Sequence, residues 1–153
     1  MKKFYSQFRQ LSWFTKASIL ISLCLLILSL SQDAFYIDRH ENPKAYADSS
    51  FLFFLGWMSF LGGGLIPFVI WLANPLYFLA IIYTVQQQKL ALLLSLTPII
   101  LASVFMVLPT ILTSESGATS EITGRGLGFY LWISSFIVLF FGVVMNQIQK
   151  SRK

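Results

Sequence analysis

The chain has 153 residues, of which 56% are hydrophobic, 16% aromatic and 11% charged. Soluble domains carry about 25% charged residues, and here the charges are confined to short patches between long apolar runs, so the composition excludes an ordinary soluble domain and indicates a multi-pass membrane protein. The length allows a single bundle of spans and no separate soluble domain. The only cysteine, Cys24, excludes a disulfide framework, a CxxC redox pair and a cysteine zinc site.

The chain begins with a basic and aromatic segment, residues 1–16, followed by the first apolar run, 17–30. That run is short for a membrane span, but the apolar residues before it extend the span to about 12–31, roughly the 20 residues required. Trp13 is then expected at the membrane interface, where tryptophan is enriched. Residues 29–31 make a poor signal-peptidase site, so we expect an uncleaved signal anchor rather than a removed signal peptide.

A hydrophilic segment, 32–50, precedes the apolar block around which the rest of the chain is organised, 51–83. The block holds 33 residues without a formal charge, and as one helix it would be about 50 Å long against a hydrocarbon core of about 30 Å. Because Gly62-Gly63-Gly64 interrupts it, we expect a short apolar helix, 51–61, then a break, then the second span, 65–85. The sequence leaves open whether the short helix crosses, re-enters or lies in the interface.

The remaining sequence predicts two further spans, at about 90–112 and 127–147. Pro98 and Pro109 fall inside the predicted third span. A membrane helix tolerates proline when neighbouring helices bond the carbonyl that proline leaves free, so we expect bends rather than helix ends. The segment between these spans is rich in small residues and is predicted to be a loop. The sequence therefore predicts an all-α membrane protein with four transmembrane helices and a short apolar helix before the second span.

The distribution of charge predicts the orientation of the spans. With both termini in the cytoplasm, eight of the eleven lysines and arginines lie on the inner side and all six acidic residues lie on the outer side. This asymmetry follows the positive-inside rule and predicts a bacterial inner-membrane protein with cytoplasmic N- and C-termini. The net charge of +5 is then a topological signal, so the expected partner is the lipid bilayer and not nucleic acid.

The four apolar runs contain no acidic, basic or histidine side chain. Ion-coupled transporters and proton relays usually place such groups inside the bundle, so we expect a protein that is not an enzyme, with no catalytic residues and no cofactor. The only histidine, His40, lies beside Asp38, Arg39 and Glu41 in a loop, and their spacing matches no closed metal site. We therefore predict no metal site and interpret these charges as solvated.

Asn74 is the most polar side chain deep within an apolar run, and Pro75 after it lacks a backbone donor. The amide either bonds across helices or repairs the proline kink; alternatively, it contacts a ligand or gates a path. Because non-helical backbone in the membrane must be covered by protein or water, the glycines are expected to face the bundle. The candidates for ligand contact or gating are Asn74, Pro75, Gly62, Gly63, Gly64 and Trp71.

The apolar block carries three motifs, Gly56-Trp57, Gly62-Gly63-Gly64 and Trp71-Leu72-Ala73-Asn74-Pro75-Leu76. In these motifs, which cover a small part of the chain, the sequence resembles a loose group of small bacterial inner-membrane proteins whose function is unknown. The resemblance implies an envelope protein and transfers no activity. In architecture alone, without a shared motif, the chain also resembles immunity proteins against pore-forming bacteriocins.

These features predict a non-catalytic protein that acts through helix packing with another membrane protein or with a second copy of itself. Two alternatives stay open. The first is a bacteriocin-immunity-like protein, and the second is a small channel or transporter subunit in which the glycine break and Asn74 line a path.

Overall fold

The computed structural model of the chain describes residues 2–38, 45–113 and 118–151. The elements are, in chain order, α1 (Lys2–Gln10), α2 (Trp13–Leu30), β1 (Asp33–Ile37), β2 (Ala45–Asp48), α3 (Ser49–Leu55), a 3₁₀ helix (Gly56–Phe60), α4 (Leu65–Trp71), α5 (Ala73–Val85), α6 (Leu90–Val107), β3 (Thr110–Leu112), β4 (Thr119–Arg125) and α7 (Leu127–Ser151).

Four helical stretches among the described residues are long and apolar enough to cross a membrane, namely α2, α4 together with α5, α6, and α7. This confirms the predicted number of apolar spans. The helix before the second span, formed by α3 and the 3₁₀ helix, covers Ser49–Phe60. At a length of about 20 Å it is shorter than the roughly 30 Å hydrocarbon core, so it is too short to cross a bilayer as a helix.

The prediction of an all-α fold is wrong in one respect, because the two segments between α2 and α3 and between α6 and α7 form a four-stranded sheet. The strand order is β2-β1-β4-β3, with every pair antiparallel. The central pair aligns Phe35 with Arg125 and Tyr36 with Gly124. The segment predicted as a small-residue loop, 113–126, thus contributes strand β4, in which the side chains of Ile122 and its neighbours alternate between buried and exposed.

The third span is shorter than predicted, because α6 ends at Val107 instead of about residue 112. Leu108 has an extended backbone with ψ of 121°, the conformation that the ring of a following proline favours, and Pro109 follows it. Pro98, by contrast, lies inside α6, as expected. The Arg125 guanidinium donates to the carbonyls of Phe105 and Leu108, at 3.0 and 2.6 Å, and so holds the end of α6 against β4. The Phe105 carbonyl also accepts the backbone N–H of Leu108, at 3.3 Å.

The sheet covers one end of the helical bundle, which we call the sheet end. One hydrophobic cluster of the described residues joins sheet and helices there. Its sheet residues are Ala34, Phe35, Ile37 and Ile122, and its helical residues are Ile70, Phe105 and Phe129. The two segments that form the sheet are thereby fixed to the helices by apolar contacts, so the sheet forms part of the folded core.

Helices α2 and α7 pack closely along small residues. A Cβ atom added to Gly142 would lie 2.5 Å from the Cβ of Ser18, so α7 can approach α2 this closely only with glycine there. The Thr15 hydroxyl donates to the Gly142 carbonyl at 3.5 Å. Small residues and interhelical hydrogen bonds of this kind are what holds membrane helices together, since lipid supplies no hydrophobic drive between them.

The opposite end of the bundle, which we call the terminal end, brings together α1, the α5–α6 turn and the end of α7. The Lys150 ammonium donates to the Gln87 carbonyl at 2.8 Å, and the Gln147 amide donates to the Gln88 carbonyl at 3.0 Å. Helix α1, which the sequence analysis did not predict, packs against α5. The sequence feature that indicates this helix is the three-residue spacing of Phe8 and Leu11. Both side chains pack against the hydrophobic core.

Candidate ligand cavity

Asp48 is the N-cap residue of α3, the helix that follows strand β2 at the candidate site. The Asp48 carboxylate accepts hydrogen bonds from the backbone N–H of Ser50, at 2.7 Å, and from its hydroxyl, at 2.8 Å. These bonds, the hydroxyl first, lower the pKa of Asp48 below its ordinary value of 3.8. An aspartate at this position satisfies a donor of the first helical turn, which fixes where α3 leaves the sheet.

The chain then folds back on itself between the 3₁₀ helix and α4. Gly63 has a φ of +80°, a backbone conformation that glycine adopts readily, and the Gly64 N–H bonds to the Ser59 carbonyl at 2.8 Å. The Trp71 indole donates to the Phe53 carbonyl at 2.8 Å. Its ring lies against Gly56, where an added Cβ would come within 2.6 Å of the ring. Trp71 therefore ties α3 and the 3₁₀ helix to α4.

We call residues 49–64, which comprise α3, the 3₁₀ helix and the glycine turn, the folded-back segment. A cavity of about 610 Å³ lies at the sheet end, between this segment, the sheet and the ends of the spans. Its lining includes Phe35 and Ile111 from the sheet, Leu52 and Met58 from the folded-back segment, and Phe129 from α7. None of the described residues that line it carries a charge. Cavities of roughly 300–1,000 Å³ with mostly apolar walls and a few polar groups are the usual size and character of small-molecule sites.

The cavity ends at a pair of polar side chains, Asn74 and Trp132, which we call its floor. The Trp132 indole donates to the Asn74 side-chain carbonyl at 2.8 Å. These are the lining residues of α5 and α7 that lie furthest from the sheet. The next turn of each helix places Tyr77 and Phe136 in ring contact at 5.3 Å, both almost fully buried. The Tyr77 hydroxyl is also bonded to the Ser22 hydroxyl, so packed core continues below the floor.

Four of the six candidates from the sequence meet at this cavity. Trp71, Asn74, Gly62 and Gly64 line it. Gly63 is exposed and lies outside the lining, so the expectation that all three glycines face the bundle holds for the buried Gly64 and not for Gly63. Pro75 is also outside the lining and sits in the first turn of α5.

Several lining residues were not among the candidates, because distant parts of the chain supply them. Ser49, Phe105 and Gly128 belong to three separate helices and carry no local motif. Trp132 also lines the cavity, and its sequence position, a polar-tipped aromatic residue within an apolar run, favours packing or an interface as readily as a site. The earlier charge cluster at Asp38–Glu41 lies mostly outside the described residues, since the structure describes Asp38 alone of the four.

The chemistry available in the cavity is binding through apolar contact and a few neutral hydrogen bonds. The polar side chains in its wall include Ser49, Ser59 and Asn74, and the Ser59 hydroxyl is already bonded to the Gly56 carbonyl at 2.7 Å. Within the described parts of the chain, no group of three or more histidine, cysteine, aspartate or glutamate residues could hold a metal ion. An apolar ligand, or the apolar part of an amphipathic one, suits these walls.

No family model matches the chain, and no curated protein and no solved structure matches it either.

Proposed function

We propose that this chain is a non-catalytic, multi-pass protein of a bacterial inner membrane that binds an apolar chain of a bilayer lipid at its sheet end. The cavity carries this proposal, because it combines a volume of about 610 Å³ with walls in which no described residue is charged. Burying a charged ligand there would leave its charge unpaired, whereas burying hydrocarbon gains about 25 cal/mol per Å² of apolar area.

The surroundings of the cavity support a ligand that comes from the membrane. The folded-back segment exposes large apolar side chains, such as Phe51, Phe54 and Leu61, at 61%, 64% and 70%. Exposed apolar surface of this extent on a membrane protein is suited to contact with lipid. A lipid chain can therefore pass between the bilayer and the cavity with little exposure to water.

The charge distribution supports an orientation with the cavity in the outer half of the membrane. Of the described basic residues, Lys2, Lys3, Arg9, Lys16, Lys89 and Lys150 belong to the terminal end and Arg125 belongs to the sheet end. The described acidic residues, Asp33, Asp38, Asp48 and Glu121, all belong to the sheet end. Under the positive-inside rule both termini are cytoplasmic. The resemblance at the Gly-Trp, glycine and Trp-Leu-Ala-Asn-Pro motifs supports the bacterial envelope.

The packing below the floor argues for binding rather than for conduction. A channel or transporter path requires polar, hydrated walls through the bundle. Beneath the cavity, however, the side chains of Tyr77, Phe136 and Leu139 are each at most 1% exposed and fill the space between the helices. Helix packing with another membrane protein or a second copy, and an immunity-like role, remain the alternatives that the sequence predicts. The exposed faces of the spans, with Leu20 and Leu93, offer surface for such packing.

A substitution that fills the cavity tests the proposal. Gly62 lines the cavity, and a Cβ added there would meet only the Ser59 carbonyl, at 3.8 Å. Gly62→Leu should therefore fold and occupy volume that a lipid chain needs. Gly124→Leu is the matched control, because its Cβ would make an ordinary 3.5 Å contact with Tyr36, away from the cavity.

The measurement is the lipid that remains bound to protein purified in mild detergent, counted by native mass spectrometry. We expect one retained lipid on the wild type and on Gly124→Leu, and a several-fold loss on Gly62→Leu. Equal retention by all three proteins, or none on the wild type, contradicts binding in the cavity.

A further inference from the structure

Helix α1, at the terminal end, is amphipathic. In the register of an α-helix, Phe4, Tyr5 and Phe8 share an arc of about 100°. The remaining positions of the helix are polar, and the basic ones among them are Lys2, Lys3 and Arg9. An amphipathic helix whose polar side is basic is typical of a segment that lies on a membrane surface.

The turn between α1 and α2 holds α1 in a fixed place on the bundle. Phe8 packs against the hydrophobic core, and Leu11, just after the helix, is buried in it. The Lys16 ammonium on α2 donates to the Arg9 backbone carbonyl at 2.9 Å and lies 5.9 Å from the centre of the Phe8 ring. The positive-inside rule requires basic residues near a span but no folded helix to carry them, so topology alone does not account for α1.

Several aromatic side chains around this turn are left uncovered by the protein. Tyr5 is 66% exposed and Trp13 is 81% exposed, and Phe4 on the same arc as Tyr5 is 43% exposed. Tyrosine and tryptophan combine an apolar body with a polar tip and are enriched where membrane hydrocarbon meets water. The apolar side of α1 therefore has two parts: Phe8 packs on the bundle, whereas Phe4 and Tyr5 suit the boundary of a bilayer.

The terminal end also carries positive charge without an acidic counterpart. Eight of the eleven lysines and arginines of the sequence fall in the segments at this end, and none of the six acidic residues does. Arg9, Lys89 and Lys150 are exposed there. A cluster of four to eight basic residues beside a membrane span is attracted to anionic lipid headgroups.

We propose that α1 is a docking surface for anionic phospholipid headgroups, which its basic residues bind while Phe4 and Tyr5 enter the boundary of the hydrocarbon. Only Leu11 and Ser12 separate α1 from the span α2, which keeps the helix at the bilayer surface and favours lipid over nucleic acid as the polyanion. The docking surface lies at the opposite end of the bundle from the cavity, so this inference does not depend on the proposed function.

The test measures which lipid lies beside α1. The full-length protein with Cys24→Ser and Gln10→Cys carries one fluorescent label at an exposed position of α1, in nanodiscs with equal amounts of phosphatidylglycerol and phosphatidylcholine. A nitroxide quencher is attached to the acyl chains of one lipid or of the other. The attraction of one basic residue to an anionic surface corresponds to about a 5-fold preference. We therefore expect phosphatidylglycerol to quench the label several-fold more strongly, and most of that preference to be lost in the neutral variant, Lys2→Gln, Lys3→Gln and Arg9→Gln.

A matched control keeps the charge of α1 and changes its side chains. The variant Lys2→Arg, Lys3→Arg and Arg9→Lys should show the same lipid preference as the wild type. Raising the ionic strength from about 0.1 M to about 1 M shortens the screening length from about 10 Å to about 3 Å, so it should reduce the preference as well.

The opposite results overturn the inference. They are equal quenching by both lipids on the wild type, quenching by neither, or a preference that the neutral variant keeps. Loss of quenching by both lipids when a DNA duplex is added would make nucleic acid the partner and would overturn it too. A cavity that retains no lipid contradicts the proposed function alone, because the label reports on the other end of the bundle.

Discussion

The indole N–H of Trp132 and the side-chain carbonyl of Asn74 form a hydrogen bond of 2.8 Å between α7 and α5, across 58 residues of sequence. Because Asn74 is only 6% exposed, its side-chain oxygen needs a hydrogen-bond donor from the protein, and the Trp132 indole supplies it. It also closes the cavity towards the packed core. The most polar residue of the apolar block therefore serves helix packing and marks where the cavity ends.

A double-mutant cycle on this pair should yield a coupling free energy of about 0.6 kcal/mol, and at most about 1.7 kcal/mol, the range found for such bonds between membrane helices. The variants are Asn74→Leu, Trp132→Phe and their combination. Unfolding in mixed micelles measures the free energy of each. Strictly additive effects would show that the bond contributes nothing to the stability of the bundle.

The Asn74→Leu variant also separates binding from conduction. If Asn74 lined a conducting path, Asn74→Leu would abolish flux into liposomes. We expect instead that the purified wild type shows no flux above that of empty liposomes, because Tyr77 and Phe136 fill the bundle below.

The four spans could be predicted from sequence because lipid imposes a simple rule. Backbone polar groups in hydrocarbon must bond within the segment, so the long apolar runs, such as 65–85, form helices over most of their length. The break after residue 61 was predictable for a similar local reason. Three successive glycines favour a turn, and Gly63 adopts the positive φ that a turn can require.

The sheet could not be predicted in this way, because its strands pair across the chain. Strand β1 bonds to β4, which lies about ninety residues later, and neither has a long alternating pattern of its own. The cavity depends on that pairing, since Phe35 and Ile111 reach it from the sheet. Ser49 was missed for the same reason, as its burial comes from Gly128 on α7.

Replacing Arg125 should destabilise the junction between sheet and bundle. Its guanidinium donates to the carbonyls of Phe105 and Leu108 and lies 5.6 Å from the Phe105 ring. Hydrogen bonds from a charged group contribute about 1.5–3 kcal/mol, so Arg125→Gln should lower the free energy of unfolding by roughly that amount. Arg9→Gln, an exposed change on α1, is the control. Equal stability of the two variants would show that Arg125 contributes nothing to the junction.

Acidification should weaken the start of α3 through Asp48. Hydrogen bonds from Ser50 lower the folded-state pKa of Asp48 below 3.8, so its contribution to stability is fully present above the unfolded value and is lost as the pH falls through the folded value. Below pH 3.8, Asp48→Asn should lose less stability on acidification than the wild type, because asparagine has no carboxylate to protonate. Asparagine still caps the helix. Thermal unfolding across this range is the measurement, with Asp38→Asn as the control for removing one carboxylate. Identical acid curves for wild type and Asp48→Asn contradict this role.

Cysteine labelling in intact cells should place the sheet end outside. Thr123 on β4 and Gln10 on α1 are both exposed and lie at opposite ends of the bundle, so each can carry a single cysteine once Cys24 is replaced by serine. A membrane-impermeant maleimide should label Thr123→Cys directly and Gln10→Cys only after the cells are opened, as the positive-inside rule requires. The reverse pattern would place the cavity in the inner leaflet. The lipid it binds would then be drawn from the cytoplasmic side, because the ends of the spans that border the cavity determine which leaflet supplies the ligand.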